Sequence, residues 1–194
     1  MMNHMKRVAL YIITGIAIGV FCFVLIHAFF YSSFSDLTAP SNIKVTNIDY
    51  PVHIVIPRLN IDTKVNKVGI TASGKMAVPS NYTDTGWYKY GTVPGQKGAA
   101  VIAGHVDNGL ALPGVFKNLN QLKKGDDIYV TLQNSTTLHF VVQGSKVYDK
   151  DAATDEIFNE DKDSLLRLIT CTGSWLPTEG THDQRLVVTA KLKK

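Results

Sequence analysis

The sequence is poor in cysteine, with only Cys22 and Cys171 among its 194 residues. Cys22 lies in an apolar N-terminal stretch and Cys171 lies far downstream, so the two cannot easily meet if that stretch spans a bilayer. A fold held together by disulfides is therefore not expected. Cys171 is left as an unpaired thiol, which needs an explanation if this part of the chain is exported, because stray thiols are oxidised there.

The chain also lacks the composition of disordered, fibrous or nucleic-acid-binding proteins. Hydrophobic residues make up 45% and charged residues 19% of the chain, as in ordinary globular domains. The net charge of +4 is small, and the basic clusters near the two ends are not interleaved with aromatic residues. Nucleic acid is therefore not expected as a partner. The length suits one domain with a sizeable core.

One N-terminal stretch contains no Lys, Arg, Asp or Glu: it runs from Val8 to Tyr31. A helix of this length can cross a hydrocarbon core of roughly 30 Å. Lys6 and Arg7 precede it, and the positive-inside rule then places the N-terminus in the cytoplasm and the remainder outside. A cleaved signal peptide is the alternative. Its apolar region is usually shorter and ends at small residues, so an uncleaved anchor is favoured.

With an uncleaved anchor, the chain divides into three parts. A cytoplasmic stub and membrane anchor occupy residues 1–34, with the span at about 8–31. A tether rich in Ser, Thr, Asn and Asp follows at 35–50. The remaining residues, 51–194, form the folded domain.

The folded domain has many short strand patterns and little helical signal. Apolar or alternating runs bounded by Gly, Pro or Asn predict strands at 52–56, 99–103, 127–132, 138–142, 165–170 and 186–190. Short helices are expected only around 115–122 and 154–159. Together these patterns favour a closed β-barrel or a sandwich.

Cys171 stands at the end of a predicted strand, before the small polar loop Thr172–Ser174. Side chains at strand ends that face loops are well placed to meet a ligand. A buried, inert cysteine is the competing interpretation, and the residues alone leave both open.

A cysteine nucleophile usually needs a histidine partner. The candidates in the folded domain are His53, His105, His139 and His182. His53 and His139 lie within strand patterns, where an outward-facing side chain explains them, and His182 is explained as a solvated residue of the loop 178–184. His105 ends its apolar strand, as Cys171 does, so the two can converge at one rim of a barrel. Arg185, which opens the last predicted strand, can join them or be an ordinary surface arginine.

These segments together resemble the sortase family. Residues 94–105 resemble the strand and loop that carry the sortase histidine, and Leu168–Cys171 resembles the L-x-T-C signature. Arg185 with the run 186–190 resembles the arginine and final strand of that family, and 54–59 resembles its opening strand. The resemblance extends from about Pro51 to Leu192. His105-Val106-Asp107 with Gly114-Val115-Phe116 leans towards the class F-like subfamily.

The resemblance implies a mainly β fold: an eight-stranded sortase-type barrel with short helices, preceded by one transmembrane helix. It implies a cysteine transpeptidase with Cys171, His105 and Arg185 as catalytic residues and Thr170 helping to hold the substrate. The implied partners are secreted proteins with a C-terminal LPxTG-like sorting signal and an amine acceptor, either a peptidoglycan precursor or a pilin. The implied location is the membrane of a Gram-positive cell, with the catalytic domain outside, and no metal or other cofactor is implied.

Two other functions fit part of the sequence. An L,D-transpeptidase is also an exported enzyme with Cys, His and Arg, but its usual S-H-G-C-type run is absent, and Gly173 stands where its arginine would be. A non-catalytic anchored β-domain would not need a free thiol. The segment Leu176–Gly180 resembles a sorting signal superficially, yet it lacks the Thr-Gly junction and an apolar tail, so we interpret it as the loop between the last two strands.

Overall fold

A computed structural model describes residues 49–108, 112–152, 155–159 and 162–194. The predicted membrane span at 8–31 and nearly all of the tether lie outside these ranges. Within the described ranges, no helix has both the length and the apolarity needed to cross a bilayer.

Eight strands close into a barrel, which confirms the eight-stranded barrel that the resemblance implies. They are β1 (Pro51–Ile56), β2 (Ile61–Val68), β3 (Thr85–Tyr88), β4 (Gly98–Ala103), β5 (Asp127–Leu132), β6 (Thr137–Asp149), β7 (Ser164–Leu176) and β8 (Thr181–Leu192). Their order around the barrel is β1-β2-β3-β4-β7-β8-β6-β5, and β5 pairs with β1 to close it. The pairs β2–β3 and β4–β7 are parallel, and the other neighbours are antiparallel.

The described helices are short. One α-helix, α1, spans Asp155–Phe158 and matches the helix expected around 154–159. Two 3₁₀ turns cover Pro57–Leu59 and Leu119–Gln121, and the second lies within the helix predicted at 115–122. Ile157 of α1 is buried, and the Phe158 ring contacts the Tyr88 ring of β3 edge to face at 5.4 Å. The helix therefore packs against the outer surface of the barrel.

The barrel interior is filled by alternate residues of the strands together with the segment that follows β4. The largest fully buried side chains include Ile54, Ile102, Phe116, Ile128, Phe140 and Leu168. Every residue of β4 is buried. This explains its continuous apolar run, because a parallel strand covered on both faces does not alternate.

Three details differ from the sequence prediction. Strands β2 and β3 were not expected, because the buried residues of β2 do not alternate and β3 has only four residues. The predicted loop Thr172–Ser174 is an irregular part of β7, which continues to Leu176 with a register shift against β8. Arg185 does not open the last strand but lies inside β8, which begins at Thr181.

Candidate active site

Cys171 lies directly opposite Arg185 in the antiparallel pair of β7 and β8. The side chains of directly opposed residues project from the same face of the sheet, with Cβ atoms about 4.5–5.5 Å apart. Cys171 is a free, half-buried cysteine. The register of the two strands thus brings a thiol and a guanidinium to one face of the barrel wall.

His105 reaches the same part of the wall from β4. The parallel register pairs Ala103 with Ile169, and the Gly104 amide donates to the Ile169 carbonyl at 3.0 Å. Extending this register by two residues aligns His105 with Cys171. The strand register therefore places the main chains of the three residues singled out in the sequence side by side at one rim.

The imidazole of His105 is oriented by the loop between β2 and β3. Its Nε2 lies 2.9 Å from the Pro79 carbonyl oxygen, and the Tyr82 ring packs against it at 4.7 Å. A carbonyl oxygen only accepts hydrogen bonds, so Nε2 carries the proton in this contact and Nδ1 of the neutral ring is the basic nitrogen. This contact therefore selects the nitrogen that is available for proton transfer.

The chain beside His105 leaves no room for larger residues. A Cβ on Gly104 would lie 2.6 Å from the Phe116 ring, and one on Gly114 would lie 2.4 Å from the His105 carbonyl oxygen. The Phe116 amide donates to that same oxygen at 2.9 Å. Two glycines thus allow the segment after β4 to turn back tightly against His105.

Thr170, predicted to hold substrate, is buried, and its Oγ1 donates to the Gly104 carbonyl at 2.8 Å. The hydroxyl thereby ties the residue before the cysteine to the residue before the histidine. This is the contact that the structure gives to Thr170, and a contact with substrate stays a prediction.

The guanidinium of Arg185 is held by its own strand. Nη1 donates to the carbonyls of His182 and Gln184, both at 2.8 Å, and Nη2 donates to the Thr181 hydroxyl at 3.1 Å. Arginine carries five N–H donors in a fixed fork. These contacts fix the plane of the fork and leave donor capacity for a ligand.

A cavity of about 280 Å³ opens beside Cys171. Its lining includes Cys171, Thr170, Asp107, His182, Lys117 and Asn120. His105 does not contribute to the lining. The cavity wall is mostly polar, which suits peptide or amine groups better than a purely apolar ligand.

The expectation that His182 is a solvated loop residue is wrong. It lies in β8, and its side chain is only 14% exposed. Its Nε2 is 3.6 Å from Oδ2 of Asp107, and the Trp175 ring lies edge-on against it at 5.3 Å. Sequence reasoning missed this pair, as it missed Pro79 and Tyr82 beside His105. These contacts join distant segments that no local pattern links.

The other two histidines agree with the expectation of outward-facing strand residues. His53 of β1 pairs with Asp62 at 2.9 Å, and His139 of β6 pairs with Asp127 at 2.6 Å. Both imidazoles are partly exposed on the barrel surface, in β1 and β6, which do not adjoin β7.

Comparison with known proteins identifies the fold and the family. A sortase C-1 from Actinomyces oris is 28% identical over 74% of this chain and 73% of its own, with a TM-score of 0.55. A lid mutant of sortase A from Corynebacterium diphtheriae is 25% identical over 74% and 70%, with a TM-score of 0.59. A sortase D5 transpeptidase from Clostridium perfringens, at 23% identity over 75% and 80%, shares the fold with a TM-score of 0.57.

These relatives carry the names sortase A, C and D, so the comparison does not select one subclass, and the class F-like assignment stays a prediction. No curated protein matches the chain. The family model of the sortase domain matches residues 54–193, which is most of the chain and contains all three residues of the rim. This protein therefore belongs to the sortase family.

Proposed function

We propose that this chain is a membrane-anchored cysteine transpeptidase. It cleaves an LPxTG-type sorting signal between Thr and Gly and transfers the secreted protein to an amine of the cell wall or of a pilin. The observation that carries the proposal is the alignment of Cys171 with Arg185 across β7 and β8, with His105 beside them at the end of β4. A thiol, an imidazole and a guanidinium on one face supply a nucleophile, a proton carrier and an anion-stabilising donor.

The first step forms a covalent intermediate. The thiolate sulfur of Cys171 attacks the carbonyl carbon of the substrate Thr and gives a tetrahedral oxyanion. The oxyanion then collapses, the bond from carbon to the Gly nitrogen breaks, and His105 as imidazolium gives a proton to the departing amine. With Nε2–H directed at the Pro79 carbonyl, that proton comes from Nδ1. The products are a thioester on Cys171 and a free N-terminal Gly.

The second step reverses the proton transfer. The incoming amine attacks the thioester carbonyl, and the neutral His105 accepts a proton from it at Nδ1. The carbon–sulfur bond breaks, Cys171 leaves as thiolate, and a new amide joins the secreted protein to the acceptor. A histidine suits both directions because it titrates near neutral pH.

Arg185 stabilises the oxyanion of both steps. Its fork is already oriented by Thr181, His182 and Gln184, so little reorganisation is needed when charge develops on the substrate. A positioned donor of this kind typically contributes about 10²–10³ in rate.

The location follows from the N-terminal segment. We propose that Val8–Tyr31 is an uncleaved span with a cytoplasmic N-terminus, and that the barrel lies outside the cell on a short tether. Substrates and acceptors of a cell-wall transpeptidase are exported, so an external catalytic domain places the thiol where both are found.

The test is mass spectrometry of the protein mixed with an LPxTG-type peptide in the absence of an added amine. We expect an adduct of the N-terminal peptide fragment, ending in Thr, on the tryptic peptide that contains Cys171. Cys171→Ala should give no adduct, neither cleavage nor transfer, and His105→Ala should be nearly as inactive. An adduct on another residue, or a requirement for His182 in place of His105, would overturn the assignment.

A peptide panel tests sequence-directed recognition. Peptides varied at each position of the signal are offered together with candidate amines, and cleavage and transfer are measured. Equal cleavage of scrambled peptides would refute recognition of a sorting signal. Retention of biological function after alkylation of Cys171 would favour the non-catalytic scaffold.

A further inference from the structure

A histidine–carboxylate contact borders the cavity of the candidate site. Nε2 of His182 is 3.6 Å from Oδ2 of Asp107, and the two side chains are only 14% and 16% exposed. Both line the cavity beside Cys171, and the Trp175 ring shields His182 edge-on. The two side chains are therefore mostly shielded from bulk solvent.

His182 also contacts Arg185, through its main chain. Nη1 of Arg185 donates to the His182 carbonyl at 2.8 Å. Residues three apart along a strand point to opposite faces, so the imidazole reaches Asp107 on one side while the guanidinium lies on the other. The position of the His182 main chain therefore affects both its own imidazole and the guanidinium of Arg185.

The main chain next to Asp107 is hydrogen-bonded to the segment that follows it. Asp107 follows His105 by two residues, in a segment closed by hydrogen bonds from the Gly114 amide to the Val106 carbonyl and from the Phe116 amide to the His105 carbonyl, both 2.9 Å. In the barrel, β4 pairs with β3 and β7 but not with β8. The contact therefore ties the segment carrying the histidine to the strand carrying the arginine, which no strand pairing joins.

The other two histidine–aspartate pairs do not have this position. His53–Asp62 connects the paired strands β1 and β2, and His139–Asp127 connects the paired strands β5 and β6. Their side chains are more exposed, at 37% and 74% for the first pair and 28% and 46% for the second. These pairs reinforce existing strand pairing, whereas His182–Asp107 connects β8 to the segment after β4, which are not paired.

We propose that His182 and Asp107 form a positioning pair that fixes the main chain at His182 and, through its carbonyl, the guanidinium of Arg185 opposite Cys171. The proposal rests on the proposed function for its catalytic consequence. Neither residue is assigned a bond to the reacting atoms. Loss of the pair should misplace Arg185 while leaving the barrel folded.

The test is a double-mutant cycle with the full-length protein in detergent micelles. Asp107→Asn and His182→Gln should each lower kcat for the LPxTG-type peptide about tenfold, a size common for coupled residues of one network, with KM changed little. In an Arg185→Lys background the same substitutions should lower kcat no further. Asp107→Glu, which keeps the charge, should restore part of the rate.

A second readout does not depend on the substrate. The guanidinium of Arg185 favours the reactive thiolate of Cys171, so both variants should slow the alkylation of Cys171 by iodoacetamide, measured on the peptide that contains it. This slowing should disappear in the Arg185→Lys background. If the wild type cleaves no peptide, the proposed function fails. The alkylation rates with and without Arg185→Lys still decide whether His182 and Asp107 act through Arg185.

His139→Gln is the matched control, because its imidazole also pairs with an aspartate and stacks on an aromatic ring, Tyr129. It should change neither kcat nor the alkylation rate. Circular dichroism and thermal unfolding show whether each variant folds. If His182→Gln does not fold, the double-mutant cycle is measured with Asp107→Asn and Arg185→Lys alone. Unchanged rates in Asp107→Asn, or equal losses with and without Arg185, would overturn the proposal.

Discussion

The hydroxyl of Thr170 donates a hydrogen bond of 2.8 Å to the carbonyl of Gly104. Thr170 precedes Cys171 on β7, and Gly104 precedes His105 at the end of β4. The bond therefore holds the backbones of the proposed nucleophile and of its histidine together at the point where the regular pairing of β4 with β7 ends. It gives the threonine of the L-x-T-C signature a structural role that needs no substrate.

Thr170→Val should be less stable and less active, because the replacement keeps the shape but leaves the Gly104 carbonyl without this donor. A buried group left unsatisfied costs about 1–3 kcal/mol, measurable by urea denaturation, and kcat should fall with it. Thr170→Ser keeps a hydroxyl and should recover most of both. Thr137→Val, which removes an exposed hydroxyl on β6, is the control. Equal activity of the Val and Ser variants would show that the bond does not support the site.

Arg185→Lys should fold normally and lose about 10²–10³ in kcat, the usual effect of removing one oxyanion donor. Lysine keeps the charge, but an ammonium cannot reproduce a planar fork that bonds to three groups of β8 at once. Steady-state kinetics with the LPxTG-type substrate peptide measures the loss of kcat, and thermal unfolding checks that the variant is folded. Arg58→Lys, at an exposed arginine, should behave as wild type. Nearly full activity of Arg185→Lys would mean that charge alone suffices.

The loop that orients His105 should weaken in acid. Side-chain hydrogen bonds from Asn81 and then Asn66 hold the pKa of Asp84 below its usual value. A lowered folded-state pKa means that the carboxylate contributes stability above its unfolded pKa of about 3.9, and that this contribution is lost as pH falls through the folded value.

Asp84→Asn should therefore be less stable than wild type at pH 7, and the difference should be smaller at pH 3, below the unfolded pKa. Urea denaturation at the two pH values measures this difference. The matched variant Asp126→Asn removes a carboxylate that caps a separate turn, at Lys123, and reports the general effect of losing one negative charge. A difference for Asp84→Asn that does not change with pH would contradict the assignment.

The sequence was sufficient for the parts of the site that directly follow buried apolar runs. Cys171 and His105 each end an apolar run, and the run identifies the strand because β4 and the first part of β7 are buried. The same reasoning missed β2, where Ile61, Val65 and Val68 are buried at spacings that fit no strand period. It also missed β3, which is too short for a period to show.

The contacts that orient the site were not readable from the sequence. His182 stands among polar residues, and nothing local distinguishes a solvated imidazole from one buried against Asp107. The register shift in β7 between Thr172 and Trp175 opposes Trp175 to His182, and such an irregularity has no sequence period of its own. Long-range pairing, rather than local propensity, decides these positions.

The N-terminal segment should stay on the mature protein. The protein extracted from membranes should retain its original N-terminus, since Val8–Tyr31 is longer and bulkier at its end than a cleaved signal. A protein that begins between about Ser35 and Asp49 should be soluble and folded, because the barrel begins at Pro51. N-terminal sequencing and a thermal melt check the two statements. A mature N-terminus near residue 32 would show that the segment is a signal peptide.

Arg167 connects the wall of the barrel to α1. It lies on β7, four residues before Cys171, and is buried, and its guanidinium donates to the main-chain carbonyls of Glu156 and Asn159 in and just after α1. Arg167→Met should leave these carbonyls without their donor, lower stability by about 1–3 kcal/mol, and release α1 from the barrel.

Hydrogen exchange of the amides of residues 155–159 should then become faster, because α1 would lose its buried hydrogen bonds to β7. Lys146→Met is a suitable control, since it removes the exposed ion pair of Lys146 with the Glu156 carboxylate, and such pairs contribute only about 0–1 kcal/mol. The two variants separate the buried contact to the Glu156 main chain from the surface contact to its side chain. If both variants accelerate exchange equally, Arg167 is not the group that holds α1 in place.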